Sequence, residues 1–358
     1  MKKIIYIISV WIFCLSGGFA QSYDGFFDSF FLRQQANAQA EAMGRGHATM
    51  TGSPFSVFYN PASSAFSEGV TTEFSRYIPN FGYYPNAHTN SYGVTINLNK
   101  FGAVTFNEIY YTYNETYNAS EDNVFIHPVK SKLDILNYSY KFPSDFSLGI
   151  NIDYFWNDYV QSNDNGIMYD IGFLKRFILN IDAATHIFFL GLSCTDITDG
   201  NIERGGRYTS KYSGPTIARI GASYEFNPNI KLINYNAVKA LIAIDGKFVT
   251  NNNYDRALQL GTEFTFCEAL KLRGGYYNDN VDTDYDPNMK TDLSHFTWGV
   301  GINIPISKLC KLDDPLELQF DFARLKNPGY YYSLANTKLY SESSAYYSIY
   351  SLKLNVGI

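Results

Sequence analysis

The stretch Phe146-Ser147-Leu148-Gly149-Ile150-Asn151-Ile152-Asp153-Tyr154-Phe155-Trp156-Asn157 decides the fold class. Phe146, Leu148, Ile150, Ile152, Tyr154 and Trp156 share one parity, while Ser147, Gly149, Asn151, Asp153 and Asn157 share the other, with Phe155 the intruder. Successive side chains of a strand point to opposite faces, so this segment has one apolar face and one wet face. Tyr92, Val94, Ile96 and Leu98 repeat the pattern, as do Phe296, Trp298, Val300, Ile302 and Ile304. Leu316, Leu318, Phe320 and Phe322 likewise face away from Glu317, Gln319 and Asp321.

Carried along the chain, this template marks about fourteen strands. They begin near Gly69, Asn90, Gly102, Lys132, Asp145, Gly166, Ala183, Gly214, Asn236, Tyr254, Ala269, Leu293, Pro315 and Ser344. A strand of about ten residues crosses a bilayer when tilted. An even number of antiparallel strands closes into a barrel, which leaves no unpaired backbone edge in lipid. Connections after even strands are short, as at Lys100-Phe101, Pro143-Ser144 and Cys267-Glu268, or moderate, as from Ile178 to Asp182, Asn227 to Tyr235 and Pro305 to Asp314. The longest follow odd strands: Tyr113 to Ser131, Cys194 to Ser213, Asn278 to Asp292 and Lys326 to Ser343. Short periplasmic turns opposite longer outer loops characterise outer-membrane barrels, and they place both termini in the periplasm.

A soluble β-sandwich also alternates, so alternation alone does not separate the two folds. Strand number, strand length and the two classes of connection favour an all-β, antiparallel transmembrane barrel. The wet face carries Lys141, Asp153, Asp170, Arg219, Glu225, Asp245, Glu263, Arg273, Asp321 and Lys353. Pairs such as Arg219 with Glu225 and Lys271 with Glu263 are expected to form a network inside a closed lumen. An open, porin-like channel is the competing reading.

Composition agrees with a lipid-facing surface: 31 Tyr and 28 Phe stand beside only 17% charged residues. The net charge of −6 carries no basic face, which argues against a nucleic-acid partner. Lys2-Lys3, the apolar run Ile4 to Leu15 and Gly17-Gly18-Phe19-Ala20 read as a secretory signal cleaved after Ala20. A lipoprotein anchor at Cys14 is disfavoured, because Trp11-Ile12-Phe13 precede it where small residues belong. Beyond Gln21 no run approaches the roughly 18 apolar residues of a spanning helix. The expected organisation is therefore a signal peptide over 1–20, an N-terminal segment with a luminal hatch over 21–68, and a barrel over 69–358.

The segment from Gln35 to Ser64 does not alternate. It is rich in Ala and Gly through Ala40, Ala42 and Met43-Gly44, then runs through Phe58-Tyr59 to Asn60-Pro61-Ala62. Small residues permit close backbone approach, so the segment suits compact folding inside a barrel. A short helix is expected over Pro54 to Tyr59, ending before Asn60-Pro61. On these residues the chain resembles the FadL-like outer-membrane proteins, and within them the PorV/PorQ family of the type IX secretion system. The resemblance implies a hatch bearing Met43, Gly44, Asn60, Pro61 and Ala62 within a fourteen-stranded barrel. Because the Met43-Gly44 to Asn60-Pro61-Ala62 segment is most like the PorV/PorQ family, the resemblance implies export or surface attachment of cargo proteins, with secretion subunits as partners; passage of hydrophobic small molecules is the alternative.

Catalytic signatures are absent: no GxSxG, phosphate-binding loop or dinucleotide fingerprint occurs, so neither enzymatic activity nor a cofactor is expected. His47, His88, His127, His186 and His295 are dispersed without metal-ligand spacing. Asp282, Asp284 and Asp286 set oxygens at alternate residues, a candidate loop for a hard cation such as Ca²⁺, with a solvated loop as the alternative. Pro287 and Leu293 depart from the EF-hand pattern there. Arg204-Gly205-Gly206-Arg207 reads as a flexible loop. Cys267 and Cys310 fall in connections on one rim, so a bridge between them is open if their Cα atoms come within about 7 Å.

Overall fold

The computed structural model describes residues 35–78, 88–120, 123–158, 163–197, 202–204, 210–212, 216–232, 235–249, 256–282, 290–292, 295–312, 314–326 and 346–357. The signal segment 1–20, Asp284, Asp286, Gly205 to Arg207 and most of the Lys326 to Ser343 connection lie outside them.

Fourteen long antiparallel strands close into one barrel. They are β1 (Val70–Ile78), β2 (His88–Asn97), β3 (Ala103–Ser120), β4 (Asn123–Phe142), β5 (Phe146–Asp158), β6 (Asn163–Ile181) and β7 (Ala184–Ile197). The second half comprises β8 (Ile217–Asn227), β9 (Val238–Val249), β10 (Arg256–Phe266), β11 (Leu270–Asp282), β12 (His295–Pro305), β13 (Leu316–Lys326) and β14 (Tyr346–Val356). β14 pairs with β1 from Val70 opposite Val356 to Ile78 opposite Ser348, which removes the last open edge.

Exposure along β5 is inverted relative to a soluble protein. Ile150 and Ile152 are 53% and 50% exposed, whereas Asn151 and Asp153 are 1% exposed. The aromatic and aliphatic parity faces outward and the polar parity faces in, an arrangement stable only where the outside is lipid. This excludes the β-sandwich, whose apolar face would be sealed. Among the described residues no helix is long and apolar enough to cross a membrane. Along β14 the even residues Tyr350 and Leu352 face outward and Tyr347, Ile349, Ser351 and Lys353 inward.

Several stretches read as loop are paired backbone. Tyr113 through Asn118 pair with Val129 through Val124, so β3 and β4 form a hairpin reaching well past membrane length. The Cys194 to Ser213 connection contains the end of β7 and two short strands, Ile202–Arg204 and Ser210–Tyr212. β11 runs on to Asp282, which pairs with Lys290 of a further short strand. A template sized to the bilayer stops at the lipid boundary, but ladder hydrogen bonds continue into water.

The opposite rim has tight turns. Between β10 and β11, Cys267 and Glu268 both adopt the left-handed region, with φ of 50° and 57°, and the Ala269 N–H donates to the Phe266 carbonyl at 2.9 Å. Two consecutive positive φ angles match a type I′ turn, whose twist suits a hairpin. The thiol bridge that the sequence left open is not formed: Cys267 and Cys310 are not joined in a disulfide. The side chains that join these connections are Glu268 and Lys308, paired at 2.8 Å, with Lys308 carried on the short helix Ile306–Cys310. Burial pushes the Glu268 carboxyl up, but hydrogen bonds from Lys308 and the Asn236 N–H hold it below the usual range. The same pairing lifts the Lys308 ammonium above its ordinary value.

Candidate functional site

The core of the molecule is the barrel interior, which residues 36–67 occupy. Asn37 caps the helix α1 (Ala38–Ala42) by accepting the Ala40 N–H at 3.0 Å. Alanines then keep α1 thin enough to lie against the wall. The chain turns back through Gly44 and Arg45, with φ of 61° and 66°. A β-carbon on Gly44 would strike the backbone of Leu260 and Tyr276, while one on Gly261 or Gly275 would strike Met43 and Gly44. The Met43-Gly44 backbone therefore lies flush on β10 and β11, with glycine on both sides of the contact. Gly44 also donates its N–H to Thr297 Oγ1 at 3.1 Å, and that hydroxyl donates to the Ala42 carbonyl at 3.1 Å.

The Asn-Pro-Ala tripeptide is fastened to another sector of wall. Ser53 caps a 3-10 helix, Pro54–Phe58, and Asn60 caps a second, Pro61–Phe66. Pro61 thus starts a helix as well as following one, because proline fits the first helical position, where no backbone donor is needed. Asn60 Oδ1 accepts the Ala62 N–H at 3.0 Å, and its Nδ2 donates to the carbonyls of Ala48 at 2.8 Å and Phe173 at 3.0 Å. β-carbons at Gly149 or Gly172 would overlap Pro61 and Asn60. Asn137 and Ser147 donate to the carbonyls of Pro61 and Ala62 at 2.9 and 2.8 Å.

Charged wall residues hold the rest. Asp245 Oδ2 accepts the Ala48 N–H at 2.6 Å, and Glu73 takes hydrogen bonds from Ser53 at 2.5 Å and Asn37 at 3.1 Å. Arg45 pairs with Glu41 at 3.2 Å, and its guanidinium sits 4.1 Å from the centroid of the Tyr277 ring. His47 is fully buried, its ring 4.8 Å from that of Tyr59. Burial first, then the positive charges of Arg273 and Lys353, lower its pKa to about 3, so it is neutral at pH 7.

The luminal charge network exists with partners other than those expected. Arg219 and Glu225 share a face of β8 but stand six residues apart, about 20 Å along a strand. Arg219 instead donates to Thr195 Oγ1 at 2.9 Å and lies 5.7 Å from the Tyr59 ring centroid. Glu263 is paired by Arg273 at 2.6 Å, and Arg273 also reaches Asp321 at 2.6 Å. Lys271 donates to Gln319 Oε1 at 2.7 Å. Arg273 was visible on the wet parity, but which carboxylates it meets depends on the stagger of β10, β11 and β13.

Toward the loop rim the inner face changes character. Beside the hatch, β3 to β6 present Thr105, Asn107, Asn137, Ser147, Asn151 and Asp170, all buried. Farther along the same faces come Ile109, Leu133, Ile135, Phe155 and Met168, which cluster with Phe55 and Phe58 of the hatch. Phe155, the intruder of the opening pattern, belongs to this inward apolar cluster.

Of the candidate cation loop, Asp282 closes β11, with Asp284 and Asp286 outside the described residues. Sequence reasoning also passed over the inward glycines, whose signal is glycine on the wet parity at mid-strand.

No protein-family profile and no curated protein matches the chain. Among solved structures it is similar to a Pseudomonas aeruginosa FadL homologue, with 10% identity and a TM-score of 0.49 over 90% of this chain and 98% of that one. It is also similar to the Pseudomonas putida toluene transporter TodX, with 10% identity, a TM-score of 0.44, and coverage of 90% and 96%. The Ralstonia pickettii toluene transporter TbuX gives 10% identity, a TM-score of 0.44, and coverage of 89% and 96%. What this chain does has to be read from its own lumen.

Proposed function

We propose that this chain is an outer-membrane barrel that passes hydrophobic small molecules, with the segment around Met43-Gly44 and Asn60-Pro61-Ala62 as its gate. The carrying observation is the apolar cluster of Ile109, Leu133, Ile135, Phe155 and Met168 on the inner wall, capped by Phe55 and Phe58. A water-filled pore has no use for apolar residues on its inner face; here they are buried against Phe55 and Phe58. Once the hatch moves aside, an oily solute that takes its place gains about 25 cal/mol per Å² of apolar area removed from water. In this reading both termini are periplasmic, and the loop rim receives the solute.

A second reading, export or surface attachment of cargo proteins with secretion subunits, is supported by the resemblance of the Met43 to Ala62 segment to the PorV/PorQ family. One experiment separates the two. A deletion strain is complemented with the parent chain or with Leu133→Glu, which places a charge in the apolar lumen while leaving the lipid face intact. Uptake of a radiolabelled alkylbenzene and the surface proteome are then measured together. Uptake restored by the parent and lowered about tenfold by Leu133→Glu, with surface proteins unchanged, supports the transporter. Normal uptake in the deletion strain, with loss of surface proteins bearing C-terminal sorting domains, overturns it in favour of secretion.

A further inference from the structure

Asp153, Asp170 and Asp196, from β5, β6 and β7, each place a carboxylate oxygen within 4.8 Å of the other two. All three are buried. Asp170 Oδ1 accepts the Asp196 N–H at 2.7 Å and its Oδ2 accepts Asn151 Nδ2 at 2.6 Å; Asp196 Oδ2 accepts Thr195 Oγ1 at 3.2 Å. Asp153 Oδ1 is sealed from solvent and has no hydrogen-bond partner. Among the described residues no Lys or Arg forms an ion pair with any of the three; Arg219, close by, is engaged with Thr195 and Tyr59.

Backbone geometry explains how the trio assembles. Tyr169 pairs with Ile197 but Ile171 pairs with Cys194, so β7 carries one extra residue against β6. A bulge of this kind re-aims a side chain. Asp196, with φ of 59°, is buried together with its neighbour Thr195, although adjacent residues of a regular strand face opposite ways.

We infer that Asp153, Asp170 and Asp196 bind one divalent, oxygen-preferring cation of the Ca²⁺ class. Three like charges this close in a sealed site repel strongly, which either bound protons or a cation between them relieves; a cation also gives the unpartnered Asp153 Oδ1 a partner. Carboxylate oxygens are the ligands that hard cations take, with water completing six to eight positions. A dication and Arg219 together balance the three carboxylates. The site also touches the hatch through Asn151, whose Nδ2 donates both to Asp170 and, at 3.0 Å, to the Val57 carbonyl. Asn151 thus links the site to the hatch.

The test uses the full chain in detergent, carrying Asp282→Asn, Asp284→Asn and Asp286→Asn throughout so that the loop does not contribute. Equilibrium dialysis with ⁴⁵Ca²⁺ is expected to give one site per chain, with affinity reduced at least tenfold by Asp153→Asn and by Asp170→Asn in heat-modifiable, folded barrels. Calcium is also expected to raise the thermal midpoint of the parent as its concentration passes the Kd. Absence of saturable binding by the folded parent overturns the inference, whichever variants fold. So does binding that neither substitution weakens, and so does an Asp153→Asn barrel stabilised in EDTA with no calcium response in the parent, the signature of a shared proton.

Discussion

Gly149 of β5 lies directly against the Pro61 carbonyl, so close that a β-carbon there would overlap it. Wall and hatch meet there backbone to backbone. Gly149→Ala is expected to displace the Asn60-Pro61-Ala62 segment while the strand pairs normally, because alanine is tolerated in a ladder. Planar-bilayer conductance should rise in this variant. Gly246→Ala is the control, since its β-carbon meets nothing closer than 3.4 Å, and it should leave conductance unchanged.

Arg273 neutralises Glu263 and Asp321 at 2.6 Å each, with its side chain wholly buried. Arg273→Met leaves two buried carboxylates without their cation, held only by hydrogen bonds such as those from Thr265 and Gln319, a change that costs about 3–5 kcal/mol when a buried pair is broken on one side. Urea unfolding in micelles should show this loss. Arg273→Met combined with Glu263→Gln and Asp321→Asn should recover much of it.

His47 makes the hatch sensitive to acid. Its pKa is lowered in the folded protein to about 3, against about 6.5 for a free imidazole. Stability from keeping this ring neutral is fully present above pH 6.5 and is lost as pH falls from there toward 3. Protease access to the N-terminal segment should therefore increase across that window. His47→Gln should flatten the dependence.

Outward positions differ in depth. Ile150 is the fifth residue of the 13-residue β5, whereas Leu354 sits two residues from the end of β14. Ile150→Arg should cost about 2–4 kcal/mol, as at a bilayer midplane, and Leu354→Arg about 0–1 kcal/mol, as near an interface. Folding titrations into lipid vesicles measure both. Equal costs would mean that the membrane is centred elsewhere on the barrel.

Thirteen of the strand starts were legible within three residues, because period-two alternation is imposed by having lipid on one side and a packed lumen on the other. β4 was the exception, starting at Asn123 where the pattern placed it near Lys132, since beyond the membrane nothing enforces alternation. Inward polar residues were legible as a class. Their partners were not: Glu263 meets Arg273 through the stagger of neighbouring strands, and Asp196 joins Asp153 and Asp170 only through a one-residue bulge. Phe155 broke the local pattern for a reason that lay in the hatch.

The hatch also spans the place where the barrel's two ends meet. Asn37 and Ser53 bind Glu73 on β1, while Ala38 donates its N–H to Ser351 on β14 at 2.9 Å and the Gly52 carbonyl accepts from Lys353 at 3.2 Å. These contacts rivet the first strand to the last across the seam between opposite ends of the chain, the pairing whose closure entropy is greatest. The stopper is thus also a staple. Unseating it would withdraw the internal brace from the joint between β1 and β14, so the proposed gating movement would be coupled to the integrity of the cylinder.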